Sequence, residues 1–248
     1  MTLQATYLGS SGWVIDFDKV RILIDPWITD TLRFPPGSWL IEGFLKSNLE
    51  VPSDIDIVLL TQGLADHAHT PSLKLLKRSI PVVGSPSASE VVKTLNFQNV
   101  VPLKPGQETT IKNISIQATA GAPVPNIENG YLISSDFGSI YIEPHGFIDP
   151  AIPCCEVDAV ITPVINLSLP FAGNFIKGKT VLPDLINRFQ PISILASTTG
   201  GDAQFKGILP KLINSEGSPA LAAEFIGNKS VFINPIPFKK YRLKTRSI

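Results

Sequence analysis

Residues 57–76 read Ile57-Val-Leu-Leu-Thr-Gln-Gly-Leu-Ala-Asp-His-Ala-His-Thr-Pro-Ser-Leu-Lys-Leu-Leu76, and three kinds of structure follow one another within them. Ile57 to Leu60 is a continuous apolar run, the pattern of a strand covered on both faces. Thr61 to Thr70 then forms a polar tip carrying Asp66, His67 and His69, two of the three histidines in the chain. Pro71 suits the first turn of a helix, with Thr70 as its expected cap and Leu73, Leu75 and Leu76 as its apolar side. Polar side chains gathered where a buried strand ends, just before a helix, are the usual setting of a ligand site in an α/β sheet.

Working outward, the first residues alternate. Leu3–Leu8, Gly12–Phe17 and Val20–Ile24 read as antiparallel strands with a polar turn at Asp18-Lys19. Downstream, a strand at Ile80–Val83, a helix over Ser85–Leu95 and a strand at Val100–Leu103 give βαβ alternation. Strands are expected at Glu108–Ile111, Ile114–Ala118, Gly130–Ser134, Ser139–Ile142 and Val157–Ile161. Thereafter come a helix at Thr180–Phe189, a strand at Ile192–Leu195, helical pieces at Leu209–Ile213 and Ala220–Ile226, and a final strand at Val231–Phe238.

The stretch Ala5–Ile28, ending in Ile24-Asp-Pro-Trp27, together with Thr61–His67, resembles the metallo-β-lactamase superfamily of metal-dependent hydrolases, in particular its lactonase-like branch. The resemblance runs over most of the chain in order and spacing. It implies an α/β fold, the four-layer αββα sandwich of that family, and the absence of a linker makes one domain over residues 1–248 the expectation. The family motif is Thr-His-x-His-x-Asp-His. In this register Asp66 and His67 are kept, while Gln62 and Leu64 stand where the two earlier histidines belong.

The resemblance also implies where the other ligands of a two-zinc centre should fall. A third histidine is due after Ala118, but Thr119–Pro125 has none. The bridging aspartate is due after Ile142, where the chain reads Glu143-Pro144-His145-Gly146 and Pro144 takes its place. The last histidine is due after Leu195, where Ala196–Gly200 offers only hydroxyls. A dinuclear zinc centre is therefore not expected, because fewer than three protein ligands rarely hold zinc.

His67, His69 and His145 nonetheless all fall in loops of the expected active-site edge, beside Asp66 and Glu143. One reading is a rebuilt site with a single divalent, zinc-like ion on Asp66, His67 and either His145 or Glu143. A second is metal-free acid–base work by Asp66, His67, His69 and His145. A third is a non-catalytic scaffold that keeps the fold and binds a small molecule. The plain structural reading also stands: Asp66 as a turn carboxylate and His67 as a satisfied core histidine.

Composition narrows the partners. Formal net charge is zero, so no basic footprint for nucleic acid exists beyond Lys239–Arg246, read as a solvated tail. No apolar run of transmembrane length occurs, so membrane insertion is not expected. The two cysteines, Cys154 and Cys155, are adjacent and do not suggest a disulfide scaffold, which together with the lack of a signal segment points to the cytoplasm. Thr31–Asn48, with Pro35-Pro36-Gly37 and with Phe34, Trp39 and Phe44, is too broken for a regular element at its start yet too apolar for an ordinary loop; its aromatics either seal a core edge or overhang a partly apolar ligand as a lid.

Overall fold

The computed structural model describes residues 2–46, 50–123, 127–170, 173–197 and 203–246. Among them two seven-stranded mixed sheets lie face to face. The first joins, in spatial order, Lys240–Leu243, Leu3–Gly9, Gly12–Phe17, Val20–Ile24, Ile57–Leu60, Val82–Gly84 and Val100–Pro102. The second joins Val231–Ile233, Ser193–Ser197, Ala159–Pro163, Gly138–Ile142, Asn129–Ser135, Ile114–Ala120 and Glu108–Ile111.

The period-two patterning of the strands explains the layering. Trp13, Ile15 and Phe17, with Ile22, Ile24, Ile57 and Leu59, point from the first sheet into the central core, where they meet Ile116, Tyr131, Ile133, Ile140 and Ile161 of the second. The alternate residues Val14, Leu23, Val58 and Leu60 face outward and are covered by Leu73, Ala88 and Val92 of the Thr70–Lys74 and Pro86–Thr94 helices. On the other side, Ile194 and Ala196 are covered by Leu182 and Ile186 of Gly178–Phe189 and by Ala222 and Ile226 of Pro219–Ile226. Strands buried on both faces need apolar residues at every position. The result is the αββα sandwich.

Four expectations change. The helix after the polar tip is capped by His69, not Thr70, since Thr70 is already its first residue with Pro71 next, and it has no side-chain capping bond, the His69 ring being bonded to Ser72 Oγ instead. The basic tail is not a free terminus: Lys240–Leu243 pairs antiparallel with Leu3–Thr6, and the Arg246 amide donates to Asp158, while Lys239, Lys240, Arg242 and Lys244 stay exposed. The Val231–Phe238 strand stops at Ile233. The Thr31–Asn48 segment contains two strands, Thr31–Arg33 and Glu42–Leu45, which form a small sheet with Ala203–Lys206. The end of that segment at Asn48, the last residues of the Thr119–Pro125 loop and Thr198–Gly200 lie outside the described residues.

Candidate metal centre

The strand register sets the site. Ile24 pairs in parallel with Leu59, so Asp25, the next residue, comes level with the strand end at Thr61. Its carboxylate accepts the Thr61 amide at 2.8 Å and the Thr61 hydroxyl at 2.5 Å. Leu64 carbonyl accepts the amides of His67 and Ala68 at 3.0 and 2.8 Å, and this turn folds Asp66 and His67 back over the strand end. His67 is fully buried, and its Nδ1 lies 2.8 Å from Asp25 Oδ2.

The second sheet brings the other half. The Asn129 amide donates to Thr61 carbonyl at 3.0 Å and the Tyr131 hydroxyl to Leu60 carbonyl at 2.9 Å, which stitches the two sheets together beside the tip. Glu128, immediately before Asn129, is completely buried and accepts from His145 Nδ1 at 2.7 Å. The His67 and His145 rings stand with centroids 5.1 Å apart.

Both histidines thus have Nδ1 held by a carboxylate, which fixes the ring orientation and leaves Nε2 as the nitrogen for a further ligand. That is how metal-binding imidazoles are usually oriented. His67 Nε2 and Asp66 Oδ1 are buried without a hydrogen-bond partner, as are Gln62 Oε1, Asn129 Oδ1 and Thr162 Oγ1, and His67 Nε2 faces two carboxylates, Asp66 Oδ2 at 3.5 Å and Glu128 Oε1 at 3.9 Å. One ligand atom from each of Asp66, His67 and His145 falls within 4.8 Å of the others. Three such N/O donors meet the minimum for a zinc-like ion and fit its ligand preferences. The Asp66 and His145 side chains are 24% and 16% exposed, so the cluster opens to solvent on their side.

The electrostatics favour a cation here. Burial is the largest influence on His67 and acts to lower its pKa, yet Asp66, Asp25 and Glu128 together outweigh it and raise the group to about 10. His145 is also buried, which lowers it, and Glu128 more than restores the protonated form. An acidic surround that draws protons onto two imidazoles draws a metal ion as well, at the cost of those protons.

Two residues expected in the cluster are used elsewhere. Glu143 accepts the amides of His145, at 3.1 Å, and Gly146, so its carboxylate closes the turn that presents His145; burial, then Glu128, pushes its pKa up. Gly146 must be glycine, since it has φ +78° and a Cβ would meet Gly178 N at 2.5 Å. His69 turns away, with Nδ1 2.8 Å from Ser72 Oγ and its ring against Trp27, and burial lowers its pKa. The sequence did not single out Asp25, Thr61 or Glu128. Asp25 lies in the quoted Ile24–Trp27 match, but nothing near Glu128 marks it as the partner of a histidine 17 positions on.

Residues 4–197, well over half of the chain, match the family described as the beta-lactamase superfamily domain. The chain belongs to the metallo-β-lactamase superfamily. Among curated relatives, a UPF0173 metal-dependent hydrolase of Cereibacter sphaeroides is 25% identical over 151 residues, 56% of this chain and 62% of the relative. Another, from Ignicoccus hospitalis, is 32% identical over 78 residues, 32% of this chain and 29% of its own length. These matches therefore span less than two thirds of the relatives. Solved structures share the fold: an isothiocyanate hydrolase from Delia radicum gut bacteria, at TM-score 0.70 and 17% identity, covers 97% of this chain and 99% of its own. A metallo hydrolase from Ignicoccus hospitalis, at TM-score 0.65 and 15% identity, covers 99% and 100%.

Proposed function

We propose that this chain is a divergent metal-dependent hydrolase that works with one divalent ion held by Asp66, His67 and His145, in place of a two-zinc centre. The observation that carries this is the convergence of Asp66 with two carboxylate-anchored histidines, ligand atoms within 4.8 Å of one another, where His67 Nε2 and Asp66 Oδ1 make no hydrogen bond. A metal bound there supplies Lewis acidity and an acidified water. The protein's own part is to fix the ligands: Asp25 orients His67, Glu128 orients His145, and the Glu143-bonded turn holds His145 in place.

The substrate is a small molecule that approaches from the side of Asp66 and His145. Half-buried Leu64, standing where the family motif has a histidine, gives that approach a partly apolar wall. Free Cys154 and Cys155 accord with a reducing compartment such as the cytoplasm.

Elemental analysis of protein purified without a metal-binding tag tests the reading. About one zinc-like ion per chain is expected, as for a three-ligand site, with loss in His67→Ala and His145→Ala and retention in His69→Ala. Two tightly held ions would overturn the single-metal reading; none would leave a metal-free enzyme or a ligand-binding scaffold.

A further inference from the structure

The small sheet of Thr31–Arg33, Glu42–Leu45 and Ala203–Lys206 has a use that the metal centre does not account for. Its inner side is anchored: Gly43 packs so closely under Trp27 that a Cβ there would meet the indole at 2.8 Å, and Phe205 lies 6.0 Å from the same ring. Beyond that anchor the chain forms a two-part tip. Ile208 amide donates to Trp39 carbonyl at 3.1 Å and Leu209 amide to Leu40 carbonyl at 2.9 Å, so the 37–40 turn and the 207–212 segment lie side by side. Gly207, with φ +120°, permits this approach, since a Cβ would meet Leu40 carbonyl at 2.4 Å.

This fixed tip shows large apolar side chains to solvent. Trp39 is 59%, Ile208 50% and Leu212 47% exposed. No described element of the fold covers them, whereas ordinary surfaces scatter such residues singly. The charge beside them has one sign. Within 31–45 and 203–212 the basic residues are Arg33, Lys206 and Lys211 and the only acid is Glu42, in a chain whose formal net charge is zero. Glu42 is bound to Arg33 at 2.7 Å, and Asp30, just before the sheet, turns its carboxylate onto the Thr31 amide at 2.7 Å. Lys206 and Lys211 thus set the local sign, and Lys206 extends over the Phe44 ring at 4.9 Å.

We propose that this tip docks the protein on an anionic phospholipid surface, with Trp39, Ile208 and Leu212 entering the headgroup boundary and Lys206 and Lys211 meeting lipid phosphates. Exposed tryptophan beside lysine is the combination that an anionic interface takes. A second copy of the chain is the poorer occupant, because a two-fold contact through this patch would bring both pairs of lysines together. The contact is peripheral: no helix among the described residues is long and apolar enough to cross a membrane. It is independent of the metal centre and stands or falls without it.

Trp13 and Trp27 are buried, so Trp39 is the reporter for lipid-induced change in tryptophan emission. Vesicles of phosphatidylglycerol at low salt should shift the emission to the blue and carry the protein down on sedimentation; phosphatidylcholine vesicles should not. High salt should release it. Lys206→Glu and Lys211→Glu keep the reporter and should each weaken binding about fivefold or more. Trp39→Ala, with folding verified by circular dichroism, should abolish sedimentation with lipid. Equal binding to both lipids, no response to either, or a blue shift that grows with protein concentration without lipid would overturn the proposal, the last by revealing self-association.

Discussion

Asp25 Oδ2 lies 2.8 Å from His67 Nδ1, although the residues are 42 positions apart, and the parallel pairing of Ile24 with Leu59 is what brings them together. The carboxylate also takes the amide and hydroxyl of Thr61, so one buried acid fixes both the strand end and the imidazole. Asp25→Asn keeps the shape but not the charge. Metal affinity should fall by about 10–100-fold, the usual cost of losing such a partner. Competition with a chromophoric chelator measures it; unchanged affinity would mean that His67 is oriented by something else.

Glu128→Gln should act through His145 in the same direction. The carboxamide keeps an acceptor oxygen for Nδ1 but removes a buried charge, so metal binding weakens, again by about 10–100-fold. Since the two acids hold different ligands of one ion, the Asp25→Asn, Glu128→Gln double variant should not be additive. A double-mutant cycle on metal affinity checks this.

His69→Ala separates a structural histidine from a metal-binding one. Its ring bonds Ser72 Oγ at 2.8 Å, and Ser72 in turn accepts the Ile28 amide at 2.9 Å. Removing the ring leaves buried polar groups short of a partner, at a cost of about 1–3 kcal/mol. Urea denaturation should show that loss while metal content stays at the wild-type value.

The C-terminal strand is a structural edge of the first sheet. Leu243 is buried in the central core beside Leu3, so Leu243→Ala should destabilise by about 2–5 kcal/mol, measured by chemical denaturation. A solvated tail would give a change near zero.

Asp16 provides a pH-dependent element far from the site. Burial, its largest influence, raises its pKa, but hydrogen bonds from Arg21 and Lys240 prevail and hold the carboxyl below 3.8. Arg21 Nε is at 2.6 Å and Lys240 Nζ at 3.1 Å. A carboxyl depressed in the folded state stabilises it fully above pH 3.8 and ceases to do so as pH falls through the folded pKa. Asp16→Asn should therefore flatten stability against pH in that acid window and leave the dependence near neutrality unchanged. Denaturation curves at stepped pH compare the two.

Much of this protein is legible along the chain because its strands are fully buried. Runs such as Ile57–Leu60 and the alternation in Gly12–Phe17 state their faces directly, and Asp66 and His67 sit at fixed offsets after such a strand. What the sequence could not state was pairing at long range. Glu128 meets His145 through a side-chain hydrogen bond, with the imidazole presented by a turn that Glu143 closes, and the short Thr31–Arg33 and Ala203–Lys206 strands have no periodicity strong enough to read. The tail reads as solvated because its lysines and arginines dominate its composition; only the position of Leu243 against Leu3, and of Lys240 and Arg246 against Asp16 and Asp158, ties it into the first sheet. Local hydrophobic pattern fixes which face of an element is buried. Which carboxylate meets which histidine depends on the register between strands far apart in sequence, and that is set by the packing of the two sheets as a whole.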